Sequence, residues 1–222
     1  TPPPTAVVPP LPTPIVLEQT TPLLGPNIGY SGQLTSNDAA VYQLQLPAAS
    51  DLMLVIRPQD GLDAVMQVSD AQALLVGQVD EYGVNEPEFL RLTTTEAANY
   101  TVRVSGFDGS LGNYTINLYD LDSTTTTFLL NITDSVAAGD VNSYTIDQVA
   151  NQFVIVFFDP TDFDGLVEIY EPSGFLLSKD EGHTGEPETA VFIPQSDGEH
   201  LIRVFGYLGD SGSYALRVIA LP

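Results

Sequence analysis

The chain is an approximate repeat of itself from about residue 28 onward. Gly106, Gly112 and Tyr114 recur 100 positions later as Gly206, Gly212 and Tyr214. Residues 86–88 and 186–188 are both Glu-Pro-Glu, again 100 positions apart. Two copies with a period this long indicate two homologous domains, because solenoid repeats are only about 20 to 50 residues long.

Apolar residues alternate with polar ones in short segments of each copy. Tyr42, Leu44 and Leu46 share one face of their segment, and Val102 and Val104 share a face of another, which is the period of a half-buried β-strand. Asp-Gly turn signals at 60–61, 108–109, 164–165 and 197–198 separate strands at intervals typical of a sandwich or jelly roll. The sequence therefore predicts an all-β protein of two tandem jelly-roll-like β-sandwich domains.

The predicted organisation has four parts. A proline-rich N-terminal arm spans 1–27, the first sandwich 28–121, a Thr-rich linker 122–127 and the second sandwich 128–222. The arm holds nine of the 17 prolines, which favours extended polyproline II.

Apolar residues in the arm distinguish it from a plain linker. These residues are Val7, Val8, Ile15, Val16 and Leu17. We expect them to pack on a β-sandwich surface of another copy by strand addition, giving a homopolymer. The alternative is a stiff linker.

Charge and composition exclude several classes of function. The 29 acidic residues against 6 basic ones repel phosphate backbones, so nucleic-acid binding is excluded. No apolar run approaches the roughly 18 residues of a membrane helix, so no membrane insertion is expected. Without cysteine there is no disulfide, zinc–thiolate site or thiol nucleophile.

Catalytic patterns are not found in the sequence. The two histidines, His183 and His200, are expected at the surface. The sequence contains neither a Gly-x-Ser-x-Gly nucleophile motif nor a phosphate-binding glycine loop. Paired carboxylates can hydrolyse glycosides, but here the acids are duplicated with the fold, which indicates a structural role. We therefore predict that the chain is not an enzyme.

Calcium is the one cofactor that the acidic loops suggest, because this ion prefers six to eight oxygen ligands. Turn formation by aspartate is the alternative interpretation. The candidate ligands, expected at one end of each sandwich, are Asp60, Asp63, Asp80, Glu81 and Glu86 in the first copy and Asp162, Asp164, Asp180, Glu181 and Glu186 in the second.

Two further patterns concern carbohydrate. Asn-x-Thr sequons make Asn99, Asn113 and Asn131 candidate glycosylation sites. Separately, Tyr82, Tyr170 and Tyr207 are candidate aromatic contacts of a carbohydrate-binding module, although the lack of tryptophan disfavours that hypothesis.

The order of several residues, found twice, resembles the bacterial pre-peptidase C-terminal domain. The pattern comprises Asp-x-x-x-Tyr at 38–42 and 140–144, then Asp63 and Asp164, Asp80 and Asp180, Glu88 and Glu188, and a closing Gly-x-x-Gly-x-Tyr at 109–114 and 209–214. The chain departs from the family's Gly-x-Tyr pattern at 98–100 and 198–200, which read Ala-Asn-Tyr and Gly-Glu-His. The resemblance implies a non-catalytic β-sandwich of exported proteins, used for adhesion, substrate targeting or spacing.

These observations favour an extracellular structural or adhesive protein, the subunit of a surface fibre assembled through its arm. Two alternatives stay open: an accessory module that targets a secreted hydrolase or spaces its domains, and a carbohydrate-binding module.

Overall fold

The computed structural model describes residues 21–26, 28–122, 128–180 and 182–221. Its internal contacts divide the chain into two compact units, residues 1–122 and 123–222, called unit 1 and unit 2 below. The five arm residues predicted to mediate assembly lie outside the described residues, as does most of the predicted linker.

Unit 1 is built from two sheets. One has the strand order β1-β3-β8-β5-β6 and the other β2-β9-β4-β7. The strands are β1 (Leu23–Leu24), β2 (Ile28–Leu34), β3 (Ala40–Leu46), β4 (Asp51–Pro58), β5 (Ala64–Ser69), β6 (Leu75–Val79), β7 (Glu88–Thr93), β8 (Ala98–Gly106) and β9 (Gly112–Asp120), with a 3₁₀ turn at Phe107–Gly109.

Unit 2 also has two sheets, of order β11-β16-β13-β14 and β10-β17-β12-β15. Its strands are β10 (Phe128–Val136), β11 (Asn142–Gln148), β12 (Phe153–Pro160), β13 (Gly165–Glu171), β14 (Gly174–Lys179), β15 (Glu188–Phe192), β16 (Gly198–Gly206) and β17 (Gly212–Leu221), with a 3₁₀ turn at Tyr207–Gly209. Within the described ranges, no helix is long and apolar enough to cross a membrane.

The two units share one topology. When their eight common strands are numbered along the chain, both have sheets of order 1-8-3-6 and 2-7-4-5. This is the jelly-roll arrangement of two Greek keys, so the predicted all-β fold class is confirmed. The sheet of unit 1 that contains β3 also includes residues upstream of residue 28. Strand β1 pairs in parallel with β3, and Leu24 of β1 is buried in the core.

The predicted alternation places apolar side chains between the sheets. Tyr42, Leu44 and Leu46 are at most 5% exposed, and Val102 and Val104 are fully buried. Each such burial contributes about 1.5–3 kcal/mol before the entropic cost of ordering the chain. The period-2 pattern therefore fixes which face of each strand belongs to the core.

A hydrogen bond between tyrosines joins the two sheets inside each unit, and it is buried in unit 1 and partly buried in unit 2. The hydroxyl oxygens of Tyr42 and Tyr114 are 2.8 Å apart in unit 1, and those of Tyr144 and Tyr214 are 2.5 Å apart in unit 2. Burial, and then the hydrogen bond to Tyr42, raises the pKa of Tyr114. The hydroxyl therefore stays protonated and available as a donor.

The glycines noted in the repeat allow a close approach of backbone at the same turn. A Cβ at Gly106 would overlap the carbonyl oxygen of Ser110, and one at Gly206 would overlap that of Asp210. Both glycines directly precede the 3₁₀ turn that leads into the last strand. Glycine is required there because of close packing rather than a special φ angle.

The expected surface position of His200 is wrong, whereas His183 is exposed as expected. His200 lies on the inner face of β16, stacked on Phe192 with ring centroids 5.9 Å apart. Its Nδ1 is 3.0 Å from the carbonyl oxygen of Gly198, and its buried Nε2 has no hydrogen-bond partner. His200 alternates in phase with the buried Ile202, so the strand period itself places it inside.

A second buried polar residue, Gln148, lies near His200 on the neighbouring strand β11. It is 3% exposed, and both polar atoms of its side chain are without a hydrogen-bond partner. By register it corresponds to the buried Leu46 of β3, because Gln148 pairs with Gly198 as Leu46 pairs with Ala98.

We predict that Gln148→Leu stabilises the protein by about 1–3 kcal/mol, because it removes a buried amide that no hydrogen bond compensates. The reciprocal Leu46→Gln is expected to destabilise it by at least as much. Denaturant unfolding measures both changes. A loss of stability in Gln148→Leu would contradict the assignment of Gln148 as an uncompensated core residue.

Candidate ligand-binding face

The described acidic residues among those predicted to bind calcium lie in two loops at one end of each unit. In unit 1 the β4–β5 and β6–β7 loops are joined by a 2.8 Å hydrogen bond from the N–H of Asn85 to the carbonyl of Leu62. In unit 2 the N–H of Gly185 donates to the carbonyl of Phe163 at 2.9 Å. The two loops of each unit are therefore neighbours.

Glutamate side chains hold the backbone of the β6–β7 loop in unit 1 and of the β14–β15 loop in unit 2. Oε1 of Glu88 accepts the N–H groups of Glu81 and Tyr82 at 2.9 and 2.6 Å, and Oε1 of Glu188 accepts that of Gly182 at 2.5 Å. Glu86 and Glu186 accept the N–H of the residue three positions earlier. The duplicated Glu-Pro-Glu is thus a loop-shaping element in both units.

The acids do not assemble into a cation cage. Among the described residues, no group of three or more His, Asp or Glu side chains is placed to hold a metal ion, and Glu181 lies outside that set. Asp63 and Asp164 each have one buried carboxylate oxygen without a hydrogen-bond partner. Burial, and then the charge of Asp164, raises the pKa of Asp180. Calcium binding stays a prediction.

The remaining sequence candidates are scattered. Asn99 and Asn131 are exposed, whereas the amide nitrogen of Asn113 donates to Asp60 at 2.5 Å. Tyr82 packs against Phe89 with ring centroids 5.4 Å apart, and Tyr207 is 44% exposed in a 3₁₀ turn. Glycosylation of the three asparagines stays a prediction.

Tyr170 is the sequence candidate that belongs to a larger cluster. It lies in strand β13, on the outer side of the sheet β11-β16-β13-β14, opposite the core-facing Val167 and Ile169. We call the surrounding surface the aromatic face. It comprises Leu166, Glu168, Tyr170, Phe175, Leu201, Arg203 and Phe205.

Aromatic rings and an arginine pack on one another across this face. The Tyr170 and Phe175 rings meet edge to face with centroids 5.5 Å apart, and Phe175 is 59% exposed. The guanidinium carbon of Arg203 is 5.7 Å from the ring centroid of Tyr170 and 5.9 Å from that of Phe205, within the range of a cation–π contact.

Polar groups at the centre of the face hold one another in place. Nη1 of Arg203 donates to Glu168 Oε2 and to the Tyr170 hydroxyl, both at 3.1 Å. The Tyr170 hydroxyl donates to the same Glu168 oxygen at 2.8 Å. Within the described part of the chain, Nε and Nη2 of Arg203 and Oε1 of Glu168 take no part in these bonds, so donors and an acceptor remain for a ligand.

Unit 1 provides an internal comparison for this face. Arg103 occupies the register position of Arg203, but its partner on the adjacent strand is Gln67 rather than Glu168. Two further cross-strand pairs differ in the same way: Thr101–Ser69 and Ser105–Val65 in unit 1 replace Leu201–Tyr170 and Phe205–Leu166 in unit 2. The aromatic side chains are therefore not required by the fold, which unit 1 forms without them.

The corresponding face of unit 1 is polar. It contains an open depression of about 410 Å³ lined by Gln43, Ser69, Asn99, Thr101 and Arg103, among others. No aromatic ring lines this depression.

Sequence reasoning identified Tyr170 but missed Glu168, Phe175, Arg203 and Phe205 as its neighbours. Alternation places Leu201, Arg203 and Phe205 on one face of β16, and that signal was available in the sequence. The pairing of β16 with β13 was not, because those strands are separated by two others along the chain.

Comparison with known proteins finds no matching family model and no matching curated protein. Solved structures are similar to the chain at low identity. The pre-peptidase C-terminal domain of a collagenase from Bacillus anthracis is 15% identical, with a TM-score of 0.39, over 44% of this chain and 93% of that one.

Two other structures span both units. The CBM22-1–CBM22-2 tandem of Paenibacillus barcinonensis Xyn10C is 8% identical with a TM-score of 0.28, over 86% of this chain and 93% of that one. A fucolectin from striped bass, Morone saxatilis, is 8% identical with a TM-score of 0.27, over 86% and 85% of the two chains. Similarities this low establish neither a family nor a function.

The buried carboxyl of Glu88 predicts a pH-dependent stability. Burial raises its pKa from 4.5 to about 7, against the two backbone hydrogen bonds that lower it. Since the folded state holds this proton more tightly than the unfolded state, the contribution is fully present below pH 4.5 and is lost as the pH rises through 7. It amounts to at most about 3 kcal/mol.

The test compares unfolding free energies of the wild type and Glu88→Gln from pH 4 to pH 9. The difference between the two proteins is expected to change across this range, because the amide that replaces the carboxyl does not titrate. Glu96→Gln, at an exposed position, is the matched control and should show no such change. A constant difference between wild type and Glu88→Gln would contradict the raised pKa.

Proposed function

We propose that this protein is a non-catalytic extracellular binding protein whose unit 2 binds a neutral carbohydrate on the aromatic face. The observation that carries the proposal is the partly exposed group of Tyr170, Phe175 and Phe205, arranged around an arginine–glutamate pair. Its counterpart in unit 1 folds without these rings.

Carbohydrate chemistry matches this combination of groups. One face of a pyranose ring presents C–H groups, which gain by leaving water for an aromatic surface. The hydroxyls at the ring's edge both donate and accept hydrogen bonds. Arg203 supplies donors and Glu168 supplies an acceptor beside the rings, and their mutual hydrogen bond limits the conformational cost of binding.

Charge and shape narrow the class of ligand. The net charge of −23 disfavours sulfated or phosphorylated glycans through long-range repulsion. The face is the outside of a sheet rather than a closed cleft, and small molecules are usually bound in enclosed pockets. An extended neutral polysaccharide suits such a surface better than a single sugar.

The same proposal includes two further points: that the protein is not an enzyme, and that both units belong to the pre-peptidase C-terminal family. The duplicated acids serve loop geometry, which supports a binding role over hydrolysis. The twice-repeated residue order supports membership of the pre-peptidase C-terminal family for both units. Such membership would make the chain a module of an exported protein, acting alone or beside a hydrolase.

The fibre hypothesis is a second candidate, favoured by one specific observation. β1, at the C-terminal end of the predicted arm, adds to the edge of a sheet in unit 1. The C-terminal end of the arm therefore already adds as a strand to a sheet edge within its own chain. Assembly between copies stays a prediction.

Binding is tested by retention on insoluble cellulose and chitin and by affinity electrophoresis in soluble neutral glucans and xylan. We expect wild-type protein to bind at least one of these polymers. Tyr170→Ala and Phe175→Ala should each weaken binding about tenfold or more, because a lost stacked ring removes roughly 1.5–3 kcal/mol of burial.

A matched control is Phe107→Ala, which removes a ring of unit 1 that is 53% exposed and should leave binding unchanged. Tyr170→Phe keeps the ring and removes its hydroxyl, so it is expected to bind better than Tyr170→Ala. If none of these neutral polymers retains the wild type, or if Phe175→Ala binds as well as wild type, the proposal is wrong.

A further inference from the structure

The strand β1 shows how a very short segment is held at a sheet edge of this jelly roll. Leu23 and Leu24 pair in parallel with Gln43 and Leu44 of β3. The N–H of Gln43 donates to the carbonyl of Pro22 at 2.9 Å. Leu24 points into the core and is 2% exposed, whereas Leu23 is 56% exposed. β1 is thus held both by backbone pairing with β3 and by one aliphatic side chain buried in the core.

Unit 2 has the corresponding sheet, in which no described segment adds to β11 as β1 adds to β3. β11 corresponds to β3, and in the described part of the chain its one hydrogen-bonded neighbour is β16. Tyr144 of β11 is only half-buried, whereas its counterpart Tyr42, beside β1, is 5% exposed. With respect to the described residues, the edge of β11 therefore presents unpaired backbone groups and an incompletely covered core residue, as an acceptor for strand addition would.

The linker does not supply an equivalent of Leu24. Residues 123–127 read Ser-Thr-Thr-Thr-Thr and contain no aliphatic side chain to bury. A segment that repeats the β1 interaction on β11 must come from elsewhere.

The arm contains such a segment. Residues 21–24 read Thr-Pro-Leu-Leu, and residues 13–16 read Thr-Pro-Ile-Val, eight positions earlier. The proline that offers its carbonyl and the two aliphatic residues that follow are present in both. Residues 21–24 anchor the C-terminal end of the arm on unit 1 of the same molecule. The similar segment at residues 13–16 is then available to reach another molecule.

We infer that Ile15 and Val16 of one molecule add as a parallel strand to β11 of a second copy of this chain. By analogy with β1, Ile15 pairs with Thr145 and Val16 with Ile146, and the N–H of Thr145 donates to the carbonyl of Pro14. Val16 points into the core of unit 2, as Leu24 does in unit 1.

Charge favours the arm as the occupant. Residues 1–17 carry no ionisable side chain, in a chain with a net charge of −23. This part of the arm can therefore approach an acidic neighbour with less repulsion than an acidic surface of a second copy would meet. Each molecule has one donor segment and one acceptor edge, so the contact is head-to-tail and generates a ring or an open filament.

Disulfide trapping in the cysteine-free full-length chain tests the register. Ile15→Cys combined with Thr145→Cys should give, after oxidation, a ladder of covalent oligomers at multiples of the 23.8 kDa chain. Leu23→Cys with Gln43→Cys, the pair observed within one molecule, is the positive control and should crosslink without increasing the mass. A missing crosslink for the first pair, or one confined to the monomer, overturns the inference.

A matched pair of substitutions tests the predicted orientation. Val16→Ser should weaken self-association at least tenfold in sedimentation over a concentration series, whereas Ile15→Ser, at the outward position, should change it little. Assembly that is unaffected by Val16→Ser, or a wild type that stays monomeric throughout, also overturns the inference. Polysaccharide binding by the Val16→Ser protein is measured separately, so the two proposals fail independently.

Discussion

Each β-sheet of this protein has edge strands whose outer backbone groups need a hydrogen-bond partner or solvent. Each sandwich closes its inner faces on an apolar core, but an open sheet leaves backbone N–H and C=O groups unpaired along its outer strands. In unit 1 the chain covers the edge at β3 with its own upstream residues, Leu23 and Leu24. In unit 2 the described residues leave the corresponding edge, at β11, without that cover. The two surfaces proposed above accordingly lie at a sheet edge and on an outer sheet face.

The duplication separates structural residues from residues free to serve a function. Both units keep the hydrogen-bonded tyrosine pair between the sheets, the glycine that precedes the last turn and the glutamate that holds the β6–β7 or β14–β15 loop. The outer face around Arg103 and Arg203 is not kept, because hydroxyl side chains in unit 1 stand where unit 2 has Tyr170 and Phe205. One topology tolerates both surfaces, so the fold itself does not require the aromatic one.

Sequence patterns predicted the fold well because the jelly roll depends on local alternation and on turns. The period alone places Tyr42 with Leu44, and Val102 with Val104, on one face of a strand, and that face is buried. β1 is not predictable from the sequence, because two residues are too few to show a period. His200 is a polar residue, but its position in the alternation of β16 places it in the core. The aromatic face depends on the pairing of β16 with β13, a long-range register that no local pattern encodes.

Assembly through the arm would increase the affinity of the proposed carbohydrate-binding face. A sheet face with a few partly exposed rings makes limited contact with a polysaccharide chain, so its affinity per copy is expected to be modest. Assembly through the arm would place one such face on every subunit of a polymer. When several faces engage one chain, each binding event after the first is intramolecular, and the overall affinity rises by orders of magnitude without any new contact. Weak recognition by each subunit and polymerisation through an arm whose first 17 residues carry no charged side chain would together provide a physical basis for adhesion.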